Sequence, residues 1–388
     1  MKQKPNITLK NLADTKNIGL FLSLKKGINE LLNKKSNKNL SAKKLSPCLE
    51  YADMLSVIIC TTGNTSIVKN AVKSLIADTL TKDKYEIIVV NNSNTPLGYM
   101  ENISYIPQSA TLTAPFRQGD HIHKPQSSLP EVEKVGFGDL DGPHFHITKS
   151  KNIKIINEST LGLSKARNTG AKEAKGEYLL YIDDDTVANP NLLFNIYSSF
   201  KEHKDFAIIG GQIFLKVPEP KPEIFLENKE SIWSGYTVPY SHFKRIREHY
   251  EFPYGACFAI RHSALDILGG FPENFGRCGN NFAGGEETAV CFKALKYGFK
   301  IGIEPKASVV HCVDERRFTE EHVKKTIRAG ILTTHRLCTE GYSSYKWTDA
   351  YIKERIKILN SEIKRLENNP LAAFYKECEL SAFKEIAK

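Results

Sequence analysis

From about residue 55 the chain alternates short apolar runs with segments of helical period. Leu55–Cys60 (LSVIIC) predicts a buried strand, closed by a Thr-Thr-Gly-Asn turn. A helical stripe follows at Val68, Ala71, Val72, Leu75 and Ile76. Further strands are expected at Glu86–Val90, Ile153–Ile156, Tyr178–Ile182, Phe206–Leu215 and near Ala307–Val310, and a helix over Thr288–Tyr297. Ser164 is a candidate cap for a helix carrying Arg167, with Gly176 closing it before the next strand. Strands alternating with helices predict an α/β fold of parallel βαβ units, a Rossmann-like, mostly parallel sheet flanked by helices. Beyond about Asp314 the pattern is helical, with Ile352, Ile356, Leu359, Ile363 and Leu366 on one face. That face suits packing on the domain or a homodimer contact.

Two regions depart from this rhythm. Residues 1–46 carry eleven lysines against Asp14 and Glu30, with Leu20, Phe21, Leu24, Ile28, Leu31 and Leu32 at helical spacing. A basic amphipathic arm suits peripheral contact with an anionic membrane surface, and equally docking on its own domain. No recognition motif accompanies the charge, so no nucleic acid is expected as partner. Residues 94–150 are rich in Pro, Gly, Ser and His with weak periodicity, and predict an insertion. Its His121/His123 and His144/His146 pairs could share a strand face and bind metal; solvated loop histidines are the simpler reading.

The composition fits a globular chain: 388 residues, 41% hydrophobic, 25% charged, net charge +10. No apolar stretch approaches bilayer length, and the N-terminus has no signal-peptide core. Eight cysteines without a CxxC pair read as reduced thiols, which points to the cytoplasm, at most peripheral to the inner face of the membrane.

The candidate chemistry sits where the fourth strand ends. Asp183, Asp184 and Asp185 close the run YLLYI, and ligands of open α/β sheets gather at the carboxyl ends of strands. Crowded carboxylates there suit Mg²⁺ or Mn²⁺, hard ions that also bridge to phosphate; the plainer reading is an acidic turn. Arg167 near the same edge suits a diphosphate.

Eight segments in order then carry a resemblance: VIICTTGN (57–64), EIIVVNNSN (86–94), GLSKARNTG (162–170), YLLYIDDDT (178–186), YGACFAIRHSAL (254–265), GGFPENFG (269–276), GGEETAVCFKALKYGFKI (284–301) and PKASVVHC (305–312). Over about residues 55–312 the chain resembles a family 2 glycosyltransferase of the GT-A fold. The resemblance implies inverting transfer of a sugar from a nucleotide-diphosphate donor to an acceptor hydroxyl on a saccharide, lipid-linked or other acceptor, in surface polysaccharide or glycolipid synthesis. It implies metal ligation by Asp183, Asp185 and His311, and a general base at Glu287, with Glu286 as the alternative. It implies donor contacts from Thr61, Thr62, Asn91, Lys165, Arg167, Asp183, Asp184, Gly255 and Ala256, with Cys257 beside them beneath the sugar. Trp233 and Tyr236 are candidate stacking residues for the acceptor, or ordinary core. Asn91 departs from the family pattern, where an aspartate commonly meets uracil, so the base of the donor stays open. That departure also permits a catalytically inactive, nucleotide-sugar-binding partner subunit, against which the intact acids and His311 argue. A nucleotide-sugar pyrophosphorylase would want a glycine-rich basic loop near the N-terminus, which the TTGN turn does not supply. The expected organisation is a basic arm (1–50), a GT-A domain (51–315, with the 94–150 insertion and an acceptor-side region at 216–282) and a helical extension (316–388).

Overall fold

The computed structural model describes residues 51–93, 97, 152–279, 282 and 284–388. The N-terminal arm and the histidine pairs of the insertion lie outside the described residues, and what is described belongs to one compact unit, Ser46–Lys388.

Among the described residues nine strands form one sheet: β1 Ala52–Thr61, β2 Tyr85–Asn91, β3 Ile153–Asn157, β4 Gly176–Asp183, β5 Thr186–Ala188, β6 Phe206–Lys216, β7 Lys244–Ile246, β8 Phe258–Arg261 and β9 Lys300–Cys312. They run in the order β3-β2-β1-β4-β8-β6-β9-β5, with β7 added beside β9. β3, β2, β1 and β4 pair in parallel; β8 enters antiparallel to both β4 and β6, and β6 pairs parallel with β9.

The apolar runs are strands because helices cover both faces of the sheet. Alternate residues of β1 divide between them. Leu55, Val57 and Ile59 pack with α1 (Thr65–Ile76), while Ile58 packs with α2 (Leu163–Glu173). The first face also takes α3 (Leu192–Glu202); the second takes α4 (His262–Leu268) and α5 (Glu286–Lys296).

Three local expectations are corrected. Ser164 lies inside α2, whose N-cap is Gly162, and its hydroxyl donates to the carbonyl of Phe275 instead. Gly176 does not close that helix but opens β4, where a Cβ would come within 2.6 Å of the Met54 carbonyl oxygen. α5 begins at Glu286 rather than Thr288, its N-cap Gly285 at φ 91°, so both glutamates lie in its first turn.

The helical tail comprises α6 (Glu320–Thr339), α7 (Asp349–Arg365) and α8 (Pro370–Ile386). It packs on the protein's own domain: Tyr375 and Val323 join Trp233 and Val313 in one apolar cluster, and Ile352 and Leu359 meet Leu380 and Phe383 in another. Among the described residues no helix is long and apolar enough to cross a membrane.

Candidate active site

The β1 and β4 strands run in register, so Cys60 stands opposite Asp183 and the acids appear where both strands end. Thr61, at the tip of β1, donates its hydroxyl to Asp184 Oδ2 at 2.6 Å. Burial raises the Asp184 carboxyl to about 6 despite that bond. Asp183 is also raised, chiefly by withdrawal from water, with Arg167 opposing. Asp185 goes the other way. Burial works against its charge, but the hydrogen bond from His311, the charge on that ring and Arg317 hold it below the usual carboxylate range.

Arg167 comes up from α2 beneath this edge. It is 3% exposed, with its guanidinium carbon 5.9 Å from the Tyr181 ring centroid and 5.5 Å from that of Phe271. Its Nη1 lies 2.6 Å from Glu286 Oε1 and 3.8 Å from Glu287 Oε2; its Nη2 lies 3.5 Å from Asp183 Oδ1. One cation thus faces three carboxylates, which keeps it charged although burial alone would favour loss of the proton. Gly255 makes room for it, since a Cβ there would overlap Nη2.

The two glutamates differ. Glu286 is 3% exposed, and burial, then the charge of Glu287, raise its carboxyl to about 7 against the pull of Arg167. The Glu287 side chain keeps 17% of its surface open and accepts from the Gly255 backbone N–H at 3.3 Å. Among the described residues Oε2 of each glutamate is buried without a hydrogen-bond partner. Such acceptors are costly to bury and call for an explanation, a catalytic role among them.

His311 stands on β9 opposite Thr186 of β5, which returns it to the acidic edge. Its Nδ1 lies 2.8 Å from the Trp233 carbonyl, and a carbonyl only accepts, so Nδ1 carries the proton and donates. That leaves Nε2 directed at Asp185 Oδ2, 3.1 Å away. Burial disfavours charge on the ring, yet Asp185 outweighs it and raises the His311 pKa. Arg317, which sequence reasoning missed, completes the corner: Nη1 is 3.4 Å from His311 Nε2 and Nη2 3.4 Å from Asp185 Oδ2.

Among the described residues no group of three or more His, Cys, Asp and Glu is drawn together closely enough to hold an ion alone. Magnesium-type sites nevertheless use one or two carboxylates and take further oxygens from substrate phosphates. Asp185 and His311, a hard oxygen and an imidazole nitrogen with its tautomer fixed from behind, fit that demand, with Asp183 near enough for its charge to be felt.

The remaining candidates divide. Ala256 and Cys257 are buried beside Gly255 in a short 3₁₀ turn. Thr62 is exposed next to Thr61. Asn91 donates from its amide to Asn157 Oδ1 and accepts from the Ser93 hydroxyl. Lys165 extends to Glu273, 3.4 Å away at the surface. Trp233 is 1% exposed, its ring between Phe225 and Phe318, with Nε1–H donating to the Arg317 carbonyl, so the structure gives it a core position and no open face. Tyr236 donates to the Glu251 carbonyl and leans on Tyr254.

Residues 144–268 match the family model for glycosyl transferase family 2. A glucosyl-dolichyl phosphate glucuronosyltransferase of Haloferax volcanii is 26% identical over 188 residues, 47% of this chain and 54% of that protein. A cholesterol galactosyltransferase of Borreliella burgdorferi is 34% identical over 64 residues, 16% of this chain and 18% of that protein. The chain therefore spans about half the length of the first curated relative and less than a fifth of the second. A mannosyltransferase from Pyrobaculum calidifontis, solved in complex with GDP-Man and Mn²⁺, is similar at a TM-score of 0.48 and 11% identity, over 95% of this chain and 94% of that one. The stretch 144–268 is thus similar to glycosyl transferase family 2, and the sheet flanked by helices is the α/β architecture that the motifs led us to expect.

Proposed function

We propose that this protein transfers a sugar, with inversion, from a nucleotide-diphosphate donor to an acceptor hydroxyl. The observation that carries the reading is the Asp185–His311 pair, its imidazole locked by Trp233 and flanked by Arg317, together with Glu287, which Arg167 links to the neighbouring Asp183.

Thr61, Asp184 and the β1 tip form the nucleotide side. Gly255 and Ala256, small residues of one turn, would lie beneath the donor sugar. Asp183, Asp185 and His311 would hold Mn²⁺ or Mg²⁺, which when bound supplies Lewis-acid stabilisation of the diphosphate. Glu287, the more open glutamate, accepts the proton of the acceptor hydroxyl as its oxygen bonds to the anomeric carbon. The bond from that carbon to the diphosphate oxygen breaks on the opposite face, and Arg317 balances part of the charge released. Arg167 holds Glu286 and Glu287 in place and neither donates nor accepts the transferred proton.

The relative from Haloferax is named for a lipid-phosphate-linked sugar substrate. A lipid-linked acceptor suits this chain as well, given the lysine-rich arm, and would place it in glycolipid or surface polysaccharide synthesis. The test is calorimetric titration with a panel of nucleoside diphosphates, with and without Mn²⁺, on wild type and Asp185→Ala. One nucleotide should bind tightly, and only with both metal and Asp185 present. Failure of every nucleotide to bind would overturn the reading.

A further inference from the structure

A second basic hollow lies beyond Arg317. A cavity of about 380 Å³ opens between the Arg277 turn, the Asp314–Arg317 segment and the first turn of α6, lined by Arg277, Phe282, Asp314, Arg316, Arg317 and His322. Three guanidinium groups share one carboxylate there, and that carboxylate is already engaged. Asp314 accepts from the Arg316 backbone N–H at 2.9 Å and from Arg316 Nε at 2.9 and 3.0 Å, and these bonds hold it down to about 2.

The other two guanidinium groups do not pair with Asp314. Arg317 turns its fork toward Asp185 and His311, so it forms the wall between the cavity and the acidic edge. Arg277 is exposed, and among the described residues its guanidinium has no hydrogen-bond or ion-pair partner. Its charge reaches Asp183, Glu286 and His322. The ring of His322 stands edge-on to Phe282 at 5.7 Å and makes no hydrogen bond among the described residues. Burial, then Arg317, Arg277 and Lys325, press its pKa down to about 4, so near neutral pH it offers an uncharged N–H.

A concave surface with unused guanidinium and imidazole donors and a surplus of positive charge is built for an anion. One carboxylate would satisfy one fork. Arg277, the outer edge of Arg316 and His322 together suit the several oxygens and double charge of a phosphate. The donor's diphosphate is provided for on the other side of Arg317, under the transferase reading on which this inference rests. We propose that the cavity is an acceptor-side subsite that holds a phosphate group carried by the acceptor, and so selects phosphate-linked acceptors over neutral ones.

The full-length protein would be titrated with methyl phosphate at low ionic strength, free and again saturated with its nucleoside diphosphate and Mn²⁺. Methyl phosphate should bind in both states with similar affinity. Arg277→Gln and His322→Phe should each weaken it by about tenfold, the scale of a lost charge-assisted hydrogen bond, and leave nucleotide affinity within about twofold. Arg277 is exposed, so its variant keeps the fold, and nucleotide binding reports the integrity of both. Displacement of methyl phosphate by the nucleotide would assign the cavity to the donor and overturn the proposal. So would the absence of methyl phosphate binding to wild type, or an affinity that Arg277→Gln leaves unchanged. The nucleotide titration separately decides the transferase reading.

Discussion

Glu286 and Glu287 are consecutive residues of one helical turn, and their surroundings give them different work. Arg167 seals Glu286 from one side at 2.6 Å, whereas Glu287 stands 3.8 Å from that guanidinium with 17% of its side chain open beside the Gly255 turn. Glu287→Gln should therefore lower kcat by about 10²–10⁴, the usual worth of a general base, with nucleotide affinity unchanged by calorimetry. Glu286 acts on stability instead. Its folded pKa, about 7, lies above the ordinary 4.5, so the folded chain holds this proton more tightly than the unfolded one. The resulting stabilisation is complete below the unfolded value and is lost as pH rises through the folded one. Thermal unfolding of wild type and Glu286→Gln across pH 5–8 should show the difference moving in favour of the variant as pH rises, with its slope steepest below about 7. A constant difference would mean that Glu286 does not titrate in this range. The acids were legible because Asp183, Asp184 and Asp185 follow an unmistakable apolar run. Arg317 and Arg277 were not: each is an ordinary surface-type residue until β9 carries the first, and the loop before α5 the second, toward the edge.

At the level of elements, the long strands were readable because burial on both faces leaves an uninterrupted apolar run. Thr186–Ala188, Lys244–Ile246 and Phe258–Arg261 were not, being three or four residues long and ordered by pairing with distant strands. The start of α5 was misplaced for a related reason. Gly285 caps it through a left-handed backbone rather than a side chain, which leaves no polar signature. The juxtaposition of α2 with the 255–257 turn is a tight contact between elements. Gly255→Ala forces a methyl into the Arg167 guanidinium, and we expect a loss of about 1–3 kcal/mol in denaturant unfolding, as overpacking commonly costs. kcat should fall with it, because the carboxylates that Arg167 aligns would shift.

Across the whole molecule, the tail proves to be structural support for the site. Tyr375 of α8 is 1% exposed, donates to the Ile224 carbonyl at 2.7 Å and shares a cluster with Trp233. Tyr375→Ala should cost about 3–5 kcal/mol by denaturant midpoint, as large core truncations do. Tyr375→Phe, which removes only the hydroxyl, should cost about 0.5–1.5 kcal/mol. The periodicity of the tail was visible in the sequence, but not its destination, since an apolar helix face does not say which surface covers it.

The buried Trp233 ties that support to the chemistry. Its carbonyl aims His311, its indole N–H holds the backbone of Arg317, and its ring rests on Phe318 in the cluster that α8 closes. A shortened enzyme, cut back to the nine strands and their covering helices, would keep every acid at the sheet edge and lose the means of pointing its histidine. Anyone paring this protein down for engineering should treat α8 as part of what holds Trp233, and through its carbonyl His311, in place.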